Sequence, residues 1–186
     1  RPLELLPDVQ PAPAVAEWTP AVGPEQGVVA FLAGCAMPSL YPRANLATVR
    51  MLARAAFRVW TPPAAGCCGA VHLHDGDLAG ARAMARANVA AFEQHKVVAI
   101  VGNAAGCGAA LHEYGELLAD EPAWAARAAA VGALAIDFAK FLDRVGMPTP
   151  PTSRPVTVTW HDPCHLAHGQ GVRAEPRRLL KALPGV

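Results

Sequence analysis

Short, mainly apolar runs of residues recur along the first part of the chain, and each is followed by a turn rich in glycine or proline. They occupy positions 28–33, 57–60 and 97–101. Runs of this length, bounded by turn residues, are typical of strands buried in a parallel sheet. The pattern predicts three strands whose carboxyl ends lie at one edge of the same sheet.

The segments between these runs have the periodicity of helices. After the first and second runs, apolar residues recur at intervals of three and four, with arginines on the opposite face. Asp75 or Asp77 can cap the second of these helices. Strands that alternate with helices predict an α/β fold, a parallel sheet with right-handed crossovers and helices on both faces.

A longer helical pattern extends from Asp120 to Gly146. We expect Gly132 to interrupt it and Asp137 to cap the second part. Proline-rich stretches lie on either side of the predicted domain. The sequence therefore predicts a linker or extended arm at 1–26, a first domain at 27–147, a linker at 148–155 and a second unit at 156–186.

The second unit resembles the start of the first. Residues 156–164 form a predicted strand that ends at Cys164, as residues 28–35 end at Cys35, and in both cases a helix with outward arginines follows. This is the pattern of an internal repeat. We expect residues 156–186 to be the first strand-helix unit of a second, truncated copy.

The composition narrows the function. With 53% hydrophobic and 17% charged residues, the chain is too apolar to be disordered. A net charge of +1 does not indicate the basic surface that nucleic-acid binding requires. Its longest apolar runs fall short of the roughly 20 residues that a membrane span needs. Five cysteines without an export signal indicate metal or redox chemistry in a reducing compartment rather than a disulfide framework.

Two adjacent cysteines, Cys67 and Cys68, lie between Gly66 and Gly69. Neighbouring side chains diverge on a strand or a helix, so only a loop can direct both sulfurs to one object. We expect the two glycines to relieve the backbone of that loop. The pair is therefore interpreted as part of a cofactor-binding loop.

Cys35, the Cys67–Cys68 pair and Cys107 each follow a predicted strand, which places four thiols at the ligand-binding edge of the sheet. Four thiolates suit a [4Fe-4S] cluster, and adjacent cysteines suit a single zinc ion less well. The position of Cys107 at the start of a helix predicts a lowered thiol pKa. The metal ligands predicted in this way are Cys35, Cys67, Cys68 and Cys107.

Other interpretations of these residues stay open. The cysteines could be inert core residues, or a pair that cycles as a thiol redox centre, whereas a disulfide between neighbours would be strained. The histidines around Cys164, namely His161, His165 and His168, could donate hydrogen bonds near a cluster or orient a quinone or a partner, although a single histidine is more often structural. No motif for a catalytic triad or a phosphate-binding loop is present. We therefore predict no catalytic residue in this chain.

Four phrases of the sequence resemble the CCG, or cysteine-rich, domain family that includes a subunit of heterodisulfide reductase, and within it the iron-sulfur subunits of glycolate oxidases. They are residues 32–35, 66–70, 103–108 and 161–170. The family pattern is a cysteine, a CCG pair and a Cys-x-x-Cys, occurring twice. The resemblance implies that Cys35, Cys67, Cys68 and Cys107 bind the cofactor of the first copy and that Cys164 opens the second. Ala104 departs from the pattern, because it stands where the first cysteine of Cys-x-x-Cys would be.

The resemblance implies an electron-transfer subunit of a glycolate oxidase complex with a [4Fe-4S] cluster. Electrons would come from flavin subunits, which carry FAD, and pass toward quinone or another membrane acceptor. We expect an internal fragment, inactive alone, in the cytoplasm or at the inner face of the cytoplasmic membrane. The alternatives are a cluster-free docking module of a 2-hydroxy acid oxidase complex and a thiol redox protein like heterodisulfide reductase. Glycolate and lactate are not distinguished as the substrate of the complex.

Overall fold

A five-stranded sheet lies at the centre of the part of the chain that the computed structural model describes, residues 12–149 and 155–186. The strands are β1 (Trp18–Thr19), β2 (Gly27–Leu32), β3 (Phe57–Trp60), β4 (Ala99–Gly102) and β5 (Ala135–Asp137). Their order in space is β1-β3-β2-β4-β5, with β1 antiparallel to β3 and all other pairs parallel. The predicted α/β class with a parallel sheet is confirmed.

Helices follow the strands along the chain. They are α1 (Met37–Leu40), α2 (Pro42–Arg54), α3 (Ala70–His74), α4 (Leu78–Phe92), α5 (Ala105–His112), α6 (Tyr114–Leu117), α7 (Ala125–Leu134), α8 (Phe138–Val145), a π-helix (His165–Gly169) and α9 (Ala174–Ala182). Asp77 caps α4, since its carboxylate accepts a hydrogen bond from the N–H of Gly80. This confirms one of the two caps considered for that helix.

The core consists of two apolar layers, one on each face of the sheet. Successive side chains of a strand point to opposite faces. Ala30 and Leu32 of β2 therefore pack with residues of α4, α5 and α7, whereas Val29 and Phe31 pack with residues of α2 and α8. Helices thus cover both faces, as the sequence predicted.

A strand divides the long helical pattern between Asp120 and Gly146. β5 pairs with β4, and Asp137 at its end caps α8 by accepting hydrogen bonds from the N–H groups of Ala139 and Lys140. The predicted cap is confirmed, but the predicted break at Gly132 is wrong. Gly132 lies inside α7, where an added Cβ would stand 2.9 Å from the carbonyl oxygen of Leu111. This glycine allows α7 to pack closely on α5.

The predicted strand at 156–164 does not form. Residues 155–163 have no regular secondary structure, and Cys164 lies at the start of the π-helix. The N–H of Val156 donates to the carbonyl of Gly185, 2.9 Å away, and no strand among the described residues pairs with this segment. A strand needs such a neighbour, because its backbone groups otherwise bond to water. The helix predicted after it is present as α9, which packs on α8 through an ion pair between Arg178 and Asp143.

The two proline-rich stretches are described only in part. Residues 1–11 and 150–154 lie outside the described residues, so most of the linker predicted at 148–155 has no structural account. Within the stretch 1–26, β1 adds a short edge strand, and the ring of Trp18 stacks on Trp60 with centroids 5.9 Å apart. The domain boundaries stay predictions. In the described ranges, every helix is too short or too polar to cross a membrane.

Candidate functional site

Four of the five cysteines meet at the carboxyl edge of the three central strands. Cys35 follows β2, the Cys67–Cys68 pair follows β3, and Cys107 lies in the first turn of α5 after β4. Because β3, β2 and β4 are direct neighbours and run parallel, the loops that leave them share one edge. The sheet therefore assembles a site from segments that are up to 72 positions apart in the sequence.

The four thiols form a continuous row. Neighbouring thiols, Cys35 with Cys67, Cys67 with Cys68 and Cys68 with Cys107, lie close enough to shift one another's pKa. None of the four thiols forms a disulfide. Cys35 is exposed, Cys67 and Cys107 are half-buried, and Cys68 is only 4% exposed. The row is accessible from the side of Cys35 and closed at Cys68.

The electrostatics of the row favour a thiolate at Cys68. Its pKa is lowered to about 6, mainly because the Cys107 thiol donates a hydrogen bond to its sulfur, with further hydrogen bonds from the backbone N–H groups of Ala70 and Cys68 itself. The pKa of Cys107 is raised, because that thiol is the donor and is also buried. The pKa predicted for Cys107 from its position in the helix was therefore wrong in direction, since hydrogen bonding outweighs the helix N-terminus here.

Gly69 has the conformation that the loop requires. Its φ is +84°, and an added Cβ would lie 3.1 Å from the carbonyl oxygen of Ala81 in α4. Its N–H lies near the sulfur of Cys67, which opposes the rise in that thiol's pKa caused by burial. Gly66 has no positive φ, and an added Cβ there would meet no atom within 4 Å. Only one of the two glycines is thus needed for backbone geometry.

The loop of the cysteine pair is anchored from inside by two buried polar residues. Asn88 of α4 accepts a hydrogen bond from the N–H of Gly66 (2.9 Å) and donates to the carbonyl of Cys67 (2.8 Å). Asn88 also donates to the hydroxyl of Tyr114 (2.9 Å), which donates in turn to the carbonyl of Cys68 (2.9 Å). Sequence reasoning missed Asn88 as a functional candidate, although a polar residue on the buried face of a helix was a visible signal.

A second polar network joins the loop that carries Cys35 to the loop that leads into α5, the helix of Cys107. The amide of Asn103 donates to Asn45 (2.9 Å) and to Thr48 (3.0 Å), and Asn45 donates to the carbonyl of Ala33 (3.0 Å). Asn45 and Thr48 are buried polar residues of α2. The network therefore fixes the loop after β2 against the loop after β4, and the sequence pattern alone did not reveal it.

Cys164 lies apart from the row. It is exposed, and its sulfur lies 3.7 Å from Nδ1 of His165. The ring of His165 stacks on His74 of α3, with centroids 5.7 Å apart, so this part of the π-helix does reach the segment that follows the cysteine pair. The structure therefore brings Cys35, Cys67, Cys68 and Cys107 together and leaves Cys164 out.

The other histidines near Cys164 bond elsewhere or face solvent. His168 accepts a hydrogen bond from the guanidinium of Arg173 (2.8 Å), and His161 is exposed. Gln170 reaches the helix that carries Cys107, because its amide donates to the carbonyl of Ala105 (2.8 Å) in the first turn of α5. The assignment of His161, His165 and His168 to a role at the site stays a prediction.

An apolar groove elsewhere lacks the chemistry of the thiol row. It has a volume of about 480 Å³, lies between α8 and the C-terminal segment, and is lined mainly by apolar residues such as Phe138, Leu142 and Leu179. None of the cysteines lines it. The thiol row is therefore the better candidate for redox or metal chemistry.

The donor set of the row suits an iron-sulfur cluster better than a single ion. Among residues 12–149 and 155–186, no group of three or more His, Cys, Asp or Glu side chains converges to hold one metal ion. A zinc ion needs its ligands about 2.3 Å from one point, whereas a cluster distributes its cysteine ligands over several irons. Four thiols from three loops, with N–H donors among them, therefore fit a cluster by their chemistry.

The sequence that forms this sheet and its cysteine segments is matched by the model of a known domain family. The model of the CCG cysteine-rich domain matches residues 29–112 and 158–186, together more than half of the chain. The chain belongs to the cysteine-rich domain family.

Relatives with curated names place the chain among iron-sulfur proteins of oxidoreductases. The probable glycolate oxidase iron-sulfur subunit of Bacillus subtilis is 39% identical over 90% of this chain, and the glycolate oxidase iron-sulfur subunit of Escherichia coli is 35% identical over 83%. One of the subunits of the fumarate reductase (CoM/CoB) of Methanothermobacter marburgensis is 32% identical over 85%. The chain spans 38%, 39% and 30% of the lengths of these three relatives.

Proposed function

We propose that this chain is the cluster-binding, electron-transfer part of an oxidoreductase iron-sulfur subunit of the glycolate oxidase type. The observation that carries the proposal is the row of four free thiols at the carboxyl edge of β3, β2 and β4. The names of the relatives from Bacillus subtilis and Escherichia coli support the class of complex.

Cys35, Cys67, Cys68 and Cys107 are the proposed cluster ligands. A bound cluster would supply a centre that takes up and releases single electrons. We propose the [4Fe-4S] type because four thiols are present, with Ala104 half-buried at the N-terminus of α5 where a fifth cysteine would stand. Cys164 is proposed to belong to a second site whose other ligands would come from the remainder of a longer protein.

The protein environment would serve this function through burial and hydrogen bonds. Cys68 is nearly inaccessible, so the inner side of the site is shielded from water. The N–H groups of Cys68, Gly69 and Ala70 lie near the sulfurs of the pair and lower the pKa of these thiols, which favours the thiolate form that binds iron. Hydrogen bonds to cluster ligands also raise the reduction potential. Cys35 is exposed, which makes its side of the row the proposed point of electron entry or exit.

Partners and location are part of the same proposal. The electron donors would be flavin-containing subunits of a glycolate oxidase complex that carry FAD, and the acceptor would be quinone or another membrane component reached indirectly. The chain would act in the cytoplasm or at the inner face of the cytoplasmic membrane. The oxidation of glycolate itself would take place on the flavin subunits.

Anaerobic reconstitution with iron and sulfide tests the proposal. We expect a visible charge-transfer absorbance, an electron paramagnetic resonance signal after one-electron reduction, and protection of the four row cysteines from alkylation. A chain that stays colourless, and in which Cys35, Cys67, Cys68 and Cys107 are alkylated equally with and without iron and sulfide, would contradict cluster binding.

A thiol redox function is the second candidate, and the thiolate character of Cys68 favours it. The Cys68 thiolate would attack a substrate disulfide, and Cys107 would resolve the mixed disulfide, so the dithiol would be oxidised and the substrate reduced. Burial argues against it, because Cys68 is 4% exposed and an external disulfide needs access to its sulfur. Incubation with a small disulfide, followed by mass spectrometry, distinguishes the two candidate functions. Formation of a Cys68–Cys107 disulfide would support thiol redox chemistry over cluster binding.

A further inference from the structure

Among the described residues, the side chains of Asn88 and Tyr114 hydrogen-bond only to each other and to the loop of the cysteine pair. Both are buried, with 1% and 0% of their surface exposed. Asn88 bonds to Gly66, Cys67 and Tyr114, and Tyr114 bonds to Asn88 and Cys68. Burial of polar side chains costs free energy that two apolar residues would not incur. What these hydrogen bonds contribute is a fixed conformation of the loop that carries the cysteine pair.

The two carbonyls that they hold belong to the peptide groups that face the sulfurs. A peptide group is planar and trans, so its C=O and N–H point in opposite directions. Asn88 holds the carbonyl of Cys67, which directs the N–H of Cys68 away from α4. Tyr114 holds the carbonyl of Cys68, which directs the N–H of Gly69 in the same manner.

These same N–H groups lie on the side of the thiols. The N–H of Gly69 is near the sulfur of Cys67, and the N–H of Cys68 is near its own sulfur. Rotation of either peptide group would turn a carbonyl oxygen, which repels a thiolate, toward the site. By holding the two carbonyls on the side of α4 and α6, Asn88 and Tyr114 therefore keep N–H groups, rather than carbonyl oxygens, on the side of the sulfurs.

We infer that Asn88 and Tyr114 are positioning residues for the cysteine pair, which keep two backbone N–H groups directed at its sulfurs and thereby set how tightly the site holds iron and at what potential. The inference rests on the proposed cluster function. It concerns residues that contact no metal themselves and act through the peptide groups of Cys67 and Cys68.

Tyr114→Phe removes one hydroxyl and keeps the ring, and Tyr41→Phe is the matched control, since Tyr41 is 49% exposed. In reconstituted protein we expect Tyr114→Phe to lower the midpoint potential and to speed iron loss to a chelator about 10- to 100-fold, the usual cost of removing a group that supports a metal ligand. Asn88→Leu should shift both quantities in the same direction. Tyr41→Phe should match the wild type.

A measurement on the cluster-free chain separates this inference from the proposed function. We expect Cys67 of Tyr114→Phe to react more slowly with iodoacetamide than Cys67 of the wild type or of Tyr41→Phe, as followed by peptide mass spectrometry, because the N–H of Gly69 is then directed less well at its sulfur and the thiolate is the reactive form. If the wild type binds no cluster, the proposed function fails, and the alkylation rates still test the positioning. Unchanged alkylation, potential and iron loss in Tyr114→Phe, with circular dichroism like the wild type, would overturn the inference. If Tyr114→Phe does not fold, the alkylation rate, midpoint potential and rate of iron loss of Asn88→Leu test the inference instead.

Discussion

Cys35 and Cys164 come at equivalent points of two similar sequence segments, yet they end in different environments. Cys35 follows β2, which has β3 on one side and β4 on the other, and its thiol contacts Cys67. Cys164 follows a segment without strand structure and is exposed at the start of the π-helix. The comparison shows that a strand followed by a cysteine makes a site only when neighbouring strands bring further cysteines to the same edge.

The two regions also differ in what holds them. The loops of the first region are bound by polar side chains in the interior, with buried Asn88 and Tyr114 at one loop and buried Asn45 with half-buried Asn103 between two others. The C-terminal segment rests on the first region through Gln170 and through exposed ion pairs such as Arg178 with Asp143. A buried network specifies one geometry, whereas exposed ion pairs add little stability.

The largest expected effect comes from replacing one cysteine in each region. Cys68→Ser should abolish cluster formation, because it removes the most deeply buried thiol of the row. Cys164→Ser should keep the iron content of the wild type. Iron and sulfide analysis after reconstitution measures both. Loss of the cluster in Cys164→Ser, or its retention in Cys68→Ser, would contradict the assignment of Cys68 to the site and of Cys164 outside it.

A smaller effect is expected at the glycine of the cysteine loop. Gly69→Ala places a Cβ 3.1 Å from the carbonyl of Ala81 at a φ of +84°, and we expect the free energy of unfolding to fall by about 1–3 kcal/mol. Gly66→Ala is the matched control, because it has open space and no positive φ. Urea denaturation of the two variants measures the difference. Equal unfolding midpoints would show that the loop tolerates an ordinary residue.

The contact between the regions is expected to depend on Gln170. Gln170→Ala removes the hydrogen bond to the carbonyl of Ala105, a loss of roughly 1 kcal/mol, and should loosen the C-terminal segment from α5. Limited proteolysis should then cut within residues 155–172 faster than in the wild type. His161→Ala, at an exposed position, provides the control. Identical cleavage rates for Gln170→Ala and wild type would mean that other contacts hold the segment.

The smallest effect is electrostatic. Burial raises the pKa of Asp137, and the negative charge of Glu175 in α9 raises it further. Glu175→Gln should therefore lower the pKa of Asp137, which NMR titration of its carboxyl carbon can follow. Because a raised carboxyl pKa weakens the fold as pH increases through it, the variant should also lose less stability on the alkaline side of that titration. No change in the pKa would place α9 away from Asp137 in solution.

Much of the site was predictable from the sequence. Apolar runs at 28–33, 57–60 and 97–101 located three strands, and the cysteines in the segments that follow them were expected to share an edge because parallel strands end on the same side. β5 was not predictable, since three residues carry too little periodicity and their strand exists only through pairing with β4. The strand expected at 156–164 failed for the reverse reason, because no partner strand lies beside it among the described residues.

By itself, the sequence determined which residues could carry the chemistry: the Cys67–Cys68 pair in a loop, with Cys35 and Cys107 after flanking strands. Only the tertiary structure decided how they meet, with Cys35 exposed, Cys68 buried and Asn88 and Tyr114 bonded to the carbonyls of the pair. The physical reason is that periodicity and residue type are local properties of the chain. Burial, hydrogen-bond partners and pKa depend on contacts between segments that are distant in sequence.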